Sequence, residues 1–205
     1  MEFGIQDGKE CNTANLSLNF GWSGLLIEGD KKYAEAARRY YTGKPVKIVN
    51  AFITRDNINS IITKNEMKGE IDLLSIDIDG NDYWVWEKID AVKPRVLVIE
   101  YNSTLGLKPI AVSYTPDFKR FRAHKSGLYY GASLEALTRL SKKKGYVLVG
   151  CCSTGFNAFF VRKDLLKNKL KELTPQEAFY IERKDRSIEK QFDDIKQLRF
   201  EEAKE

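Results

Sequence analysis

Three groups of residues in this sequence could do chemistry. The first is Glu2-Phe3-Gly4-Ile5-Gln6-Asp7-Gly8, an acid with glycines two and six places later. Glycine lets the backbone turn tightly and lets a ligand approach closely. The spacing is not the G-x-G-x-x-G of nicotinamide cofactor sites, and a plain glycine turn would also explain it. The second is Glu28, twenty residues past Gly8 and the last residue of Gly24-Leu25-Leu26-Ile27-Glu28. A carboxylate at the end of a buried strand can accept hydrogen bonds from both hydroxyls of a ribose. The third is Ser75-Ile76-Asp77-Ile78-Asp79-Gly80-Asn81-Asp82, where three acids crowd together. Like charges held so close are costly unless a cation joins them, either a sulfonium, a divalent metal or a lysine. Glu100 and Asn102 end the next apolar run. Asp77, Glu100 and Asn102 therefore form an oxygen set suited to magnesium. The alternative is that these acids cap helices and bind backbone amides.

The elements around these residues must bring them to one place. Short apolar runs alternate with amphipathic stretches. Runs at Glu2–Ile5, Gly24–Glu28, Val46–Phe52, Ile71–Asp77 and Val96–Glu100 read as strands. Helices are expected at about Asn12–Asn19, from an Asp30 cap to near Tyr41, at Asn57–Asn65 and at Tyr83–Ile89. Continuous apolar strands mean a sheet covered on both faces, so the expected fold is α/β, Rossmann-like and doubly wound, with a mostly parallel sheet. Ligands of such sheets bind beyond the carboxyl ends of the strands, where all three groups fall. Ser133 is expected to cap a helix to Lys144. Tyr146–Gly150 and Asn157–Val161 then flank a turn too short for a parallel crossover, so the sheet ends in an antiparallel β-hairpin.

Residues 103–130 lack clear periodicity and hold the only histidine, His124. A loop of that length is expected to be functional, here a cover for an acceptor site. His124 is a candidate base, with a plain surface residue as the alternative. Trp84, Trp86, Tyr129 and Tyr130 could stack on a sugar or a base, although Trp84 and Trp86 cannot share one helix face. From about Pro175 the chain is charged. Ile188, Phe192, Ile195 and Leu198 form a stripe that predicts a C-terminal helix docked on its own domain or on a second copy in a homodimer. The expected division is a catalytic domain over 1–172 and a charged helical extension over 173–205.

Composition bounds the function. The 205 residues suit an ordinary domain, and 42% hydrophobic content supplies a core. No apolar run reaches the roughly 18 residues of a membrane span. Met1 is followed at once by Glu2-Phe3-Gly4, which does not read as a signal peptide. Cys11, Cys151 and Cys152 lack metal-like spacing, so reduced thiols and a cytoplasmic setting are expected. The net charge of +5 is dispersed among acids. It lacks the basic stripe of a nucleic-acid binder and speaks against a nucleic-acid substrate.

The segment Glu2 to Asp30, the Ile76-Asp77-Ile78-Asp79-Gly80 turn, the strand end Val98-Ile99-Glu100-Tyr101-Asn102 and the run Asn157-Ala158-Phe159-Phe160-Val161 together resemble the FkbM-type family of S-adenosylmethionine-dependent methyltransferases. The resemblance spans roughly residues 1–165. Its first-turn motif matches Glu2, Gly4 and Gly8, and Asp79 stands where the family usually has glutamate. The chain opens almost at the first strand, without the helix that precedes it in that family, and the charged C-terminal segment lies outside the pattern. The resemblance implies methyl transfer to a hydroxyl of a sugar, glycan or secondary metabolite. It implies S-adenosylmethionine bound by Glu2, Gly4, Gln6, Asp7, Gly8, Glu28, Ala51, Asp77 and Asp79. Asp77 and His124 are the candidate catalytic residues, and magnesium the candidate metal. An RNA or protein methyltransferase on the same fold and a non-catalytic cofactor-binding or scaffold domain are the alternatives.

Overall fold

The computed structural model describes residues 1–167, 170–182 and 185–204. The chain runs β1 (Glu2–Phe3), α1 (Ala14–Asn19), β2 (Gly24–Glu28), α2 (Lys31–Tyr40), β3 (Val46–Asn50), α3 (Ile58–Lys64), β4 (Gly69–Ile76), α4 (Asp82–Lys88) and β5 (Val92–Glu100). It continues through β6 (Ile110–Val112), α5 (Arg120–Ala123), α6 (Leu134–Lys143), β7 (Tyr146–Cys151), β8 (Asn157–Arg162), α7 (Pro175–Ala178), α8 (Ile188–Asp193) and β9 (Phe200–Glu202).

Seven strands make one sheet in the order β3-β2-β1-β4-β5-β8-β7. The first five are parallel, and β8 runs antiparallel to β5 and to β7. This is the expected doubly wound sheet with its closing hairpin. The strand order reverses between β1 and β4, and their carboxyl ends form the crevice where such sheets bind ligands.

Alternation within each strand divides the core between two faces. Leu26 packs with Ala37 and Tyr41 on the side of α1 and α2. Leu25 and Ile27 pack with Ile58, Val85 and Leu137 on the side of α3, α4 and α6. Helix α2 starts where Asp30 accepts the Lys32 and Tyr33 amides. Helix α6 starts where Ser133 accepts the Ala136 amide. β5 begins at Val92, four residues before its apolar run. Its first residues alternate buried and exposed, and Gly69, Glu70 and Ile71 pair with them.

Two expectations change. Residues 103–130 are not an open loop: they contain β6 and α5, and Val112 donates its amide to the Gly131 carbonyl. The segment after Pro175 is not one helix, and residues 183, 184 and 205 of the expected extension lie outside the described residues. It forms the short α7 and α8, then β9, which pairs antiparallel with β6. The apolar stripe is a docking face, and it packs on its own chain. Ile195 is fully buried with Leu105 and Leu128, and Phe192, Leu198 and Phe200 flank them. Of the two readings of that stripe, docking on its own domain is the one the packing matches. Among the described residues no helix is long and apolar enough to cross a membrane.

Candidate functional site

A cleft of about 980 Å³ lies over the ends of β1, β2 and β4. Its size suits a cofactor-sized ligand. The turn after β1 forms its floor. Gly4 has φ +75°, and a Cβ there would overlap the Asp77 carbonyl oxygen at 1.6 Å. Glycine is required because two strand ends meet, whatever ligand binds. Glu2 is 2% exposed and accepts the Asn12 amide at 2.7 Å, the Thr13 amide at 2.8 Å and the Thr13 hydroxyl at 2.5 Å. It fastens the loop into α1.

Glu28 lines the cleft at the end of β2. One oxygen accepts the Gln6 amide at 2.7 Å and the other accepts the Asp30 amide at 2.8 Å. These bonds orient the carboxylate and leave lone pairs for ligand hydroxyls. Gln6, Asp7, Ala51, Asp77 and Asp79 also line the cleft. Gly8 does not: it faces α2, and its carbonyl accepts the Tyr41 hydroxyl at 2.9 Å. Tyr33 and Phe52, both about half exposed, stand on the cleft wall near Glu28. They are flat surfaces on which an adenine could stack. Sequence reading missed both, since an exposed aromatic in a helix or loop carries no pattern of its own.

The acid cluster follows β4. Asp82 is fully buried and accepts the Ile78 and Gly80 amides, each at 2.9 Å. It pins the turn as a cap does and faces no ligand. The pinned turn holds Asp79 at φ +56°. Asp77 remains on the cleft edge. Burial, then the charges of Asp82, Asp79 and Glu2, push its carboxyl up to about 7. Glu100 at the end of β5 is 5% exposed, and burial with the Asp77 charge pushes it well above the usual carboxylate range.

The cation among these acids is Arg120. Its Nη1 lies 3.0 Å from Asp79 Oδ1 and 3.9 Å from Glu100 Oε1. Its Nε donates to the Gly127 carbonyl at 2.7 Å, and its guanidinium stacks on the Tyr130 ring at 3.6 Å. The acids thus share an arginine from a distant helix, where sequence reading weighed a sulfonium, a metal and a lysine. No signal in the run Lys119-Arg120-Phe121-Arg122 distinguishes Arg120 from its neighbours.

The magnesium site is not formed. The Asn102 side chain donates to the Leu128 and Tyr130 carbonyls at 2.7 and 2.9 Å and accepts the Thr104 amide at 3.0 Å. Its amide is committed to the loop and cannot turn to Asp77. Among the described residues no group of three or more His, Cys, Asp or Glu side chains is arranged to hold a metal ion.

His124 ends α5, away from the residues that line the cleft, with Nδ1 2.7 Å from the Ser126 hydroxyl. Its position supports the surface reading. The four aromatics picked from sequence are structural. Trp86 is buried and donates to Ser141 at 3.1 Å, and Trp84 donates to the Val112 carbonyl at 2.8 Å. Tyr130 is buried beneath Arg120, and the Tyr129 hydroxyl donates to the Arg199 carbonyl.

No family model matches the sequence, and no curated protein matches it. Among solved structures the chain is similar to an S-adenosylmethionine-dependent methyltransferase from Clostridium acetobutylicum ATCC 824, at 13% identity over 78% of this chain and 82% of that one, with a TM-score of 0.47. It is similar to an O-methyltransferase from Bacillus cereus in complex with SAH, at 18% identity, 78% and 70% coverage and a TM-score of 0.46. It is also similar to a SAM-dependent methyltransferase from Aquifex aeolicus, at 10% identity, 78% and 80% coverage and a TM-score of 0.43.

Proposed function

We propose that this chain is an S-adenosylmethionine-dependent methyltransferase that acts on a hydroxyl of a small molecule or glycan. The observation that carries the reading is the charge of the cleft at the β1–β4 switch point. Seven acids and two lysines line it, and one of the lysines, Lys9, is paired with Asp7 at 3.2 Å. A low-dielectric cleft lined by one sign of charge concentrates ligands of the other. A sulfonium suits it, whereas the pyrophosphate of a nicotinamide dinucleotide would meet the same acids unfavourably. The residues also fit the adenosine end: Glu28 presents a preset carboxylate to a ribose, and Tyr33 and Phe52 present faces to a base. The FkbM-type resemblance of the first turn and of the Ile76–Gly80 turn supports the same reading and the choice of a hydroxyl.

When bound, S-adenosylmethionine supplies an electrophilic methyl group that an oxygen nucleophile can take directly. The protein's tasks are then to position the acceptor and to remove its proton. Positioning alone can supply roughly 7–11 kcal/mol. Asp77 is the base: it lies on the cleft edge, and its raised pKa lets it hold a hydroxyl proton near neutrality. Glu2 and Asp82 keep the two turns in place, and Arg120 holds α5 against the acids. Titration calorimetry with S-adenosylmethionine and with NAD tests the assignment. Binding of the first alone is expected; binding of NAD alone would overturn it.

One observation favours a second reading with an anionic acceptor, nucleic acid included. Lys119, Arg122 and Lys125 are exposed around Phe121, itself 72% exposed, and Lys119 reaches the cleft. Cations around an aromatic suit a phosphate beside a base. RNA binding that weakens steeply with salt would support this reading over the first.

A further inference from the structure

We propose that the acids at the ends of β4 and β5 make this cleft select its adenosyl ligand by charge, so that it holds S-adenosylmethionine more tightly than S-adenosylhomocysteine. The inference rests on the cofactor reading above and concerns the same site. The two ligands differ at one place: the first has a cationic sulfur, the second a neutral one.

Position comes first. Strands stand about 4.8 Å apart in a sheet. In the order β2-β1-β4-β5, Asp77 is therefore two spacings, roughly 10 Å, from Glu28, and Glu100 one spacing further. A ligand gripped at Glu28 that extends along the strand ends reaches Asp77 next.

Charge comes second. Among the described residues Asp79 and Glu100 pair with one guanidinium, that of Arg120, and Lys119 is the nearby cation that lines the same cleft. Arg120 spends its charge on Asp79 at 3.0 Å, and more distantly on Glu100 at 3.9 Å, while its Nε is bound to the Gly127 carbonyl. Asp82 is satisfied by two amides and is not part of the imbalance.

Unmet demand comes third. Among the described residues Glu100 Oε2 is buried without a hydrogen-bond partner, and so is Asn157 Oδ1. Asn157 lies opposite Glu100 in the β5–β8 register and lines the cleft. Both atoms are acceptors, so what would complete them is a donor or a cation. Buried polar atoms rarely go without one. Burial and mutual repulsion raise the pKa of the Asp77 and Glu100 carboxyls, and a cation nearby would favour their ionised forms. A neutral sulfur gives none of this.

Titration calorimetry on the full chain tests the proposal with three probes: S-adenosylmethionine, S-adenosylhomocysteine and sinefungin, which carries an amine where the first carries its sulfonium methyl. S-adenosylmethionine and sinefungin should each bind about tenfold or more tighter than S-adenosylhomocysteine, the scale of one charge near a carboxylate at intermediate dielectric. Glu100→Gln and the more exposed Asp79→Asn should each lower that ratio and leave S-adenosylhomocysteine affinity little changed. The second variant keeps the test valid if the first fails to fold. Equal affinities in the unaltered chain, or a ratio unmoved by either variant, would overturn charge selection while leaving the cofactor assignment intact. Parallel losses for all three probes would assign the acids to the ammonium group they share, which also overturns it. Binding of none of the three would overturn the cofactor assignment itself.

Discussion

Glu28 is oriented before any ligand arrives. The Gln6 and Asp30 amides each take one of its oxygens, so a ribose would meet a fixed acceptor. On the proposed reading Glu28→Ala would remove two ribose hydrogen bonds, about 0.5–1.5 kcal/mol each, and should weaken S-adenosylmethionine binding roughly tenfold or more. Unchanged affinity in calorimetry would remove Glu28 from the site. In the proposed reaction Asp77 carries the pH dependence. As a base it must be ionised, so kcat/KM should rise with pH through about 7. Asp77→Asn should lose that rise and on the order of a hundredfold or more in rate. The same group makes a stability prediction of opposite sense. Its folded pKa lies above its ordinary value of 3.8, so its favourable contribution is complete below about pH 4 and is lost as pH rises through about 7. The melting temperature of the ligand-free protein should therefore fall across that window more steeply than that of Asp77→Asn. Equal slopes would mean that the Asp77 carboxyl titrates normally.

At the scale of elements, Arg120 and Phe118 are two of the residues that hold α5 and the segment before it to the strand ends. A Cβ on Gly80 would lie 2.1 Å from the Phe118 ring, and Gly80 has φ +158°. Gly80→Ala should thus push Phe118 and its segment outward. Arg120→Met should release the same segment by removing the ion pairs while keeping much of the stacked volume. In limited proteolysis both variants should be cut faster between residues 113 and 127 than the unaltered chain. Cutting at an unchanged rate would mean that the segment is held by β6 and Asn102 instead.

The whole molecule closes its sheet edge and its loop with its own C-terminal segment. Ile195 is fully buried with Leu105 and Leu128, beneath the segment that leads to α5. Ile195→Ala should cost about 2–5 kcal/mol in urea unfolding, the range for deleting a buried branched side chain. A cost below about 1 kcal/mol would show that this segment is a detachable extension, as a division at 172–173 would have it. Pairing of β9 with β6 makes a second, smaller sheet, and the Ala203 amide donates to the Pro109 carbonyl at 2.7 Å. The segment after β5 and the last strand are thereby joined in one packed body.

The architecture is legible in the apolar runs. Leu25-Leu26-Ile27 and Leu97-Val98-Ile99 can be buried on both faces only in a covered sheet. The five residues between Cys151 and Asn157 force an antiparallel return. The same runs place Glu28 and Asp77 at strand ends, because a strand's last residue is set by where its apolar run stops. Local spacing could go no further. Asp77, Glu100 and Asn102 looked equivalent in sequence, yet only the fold shows Asn102 spent on loop carbonyls and Arg120 delivered to the acids. The stripe from Ile188 to Leu198 fitted a helix, but α8 stops at Asp193, and the remaining apolar residues serve a turn and then β9. Periodicity reports which residues seek burial. What they bury against, and which charges meet across the 20 residues from Glu100 to Arg120 or the 41 from Asp79, is decided only when distant segments pack.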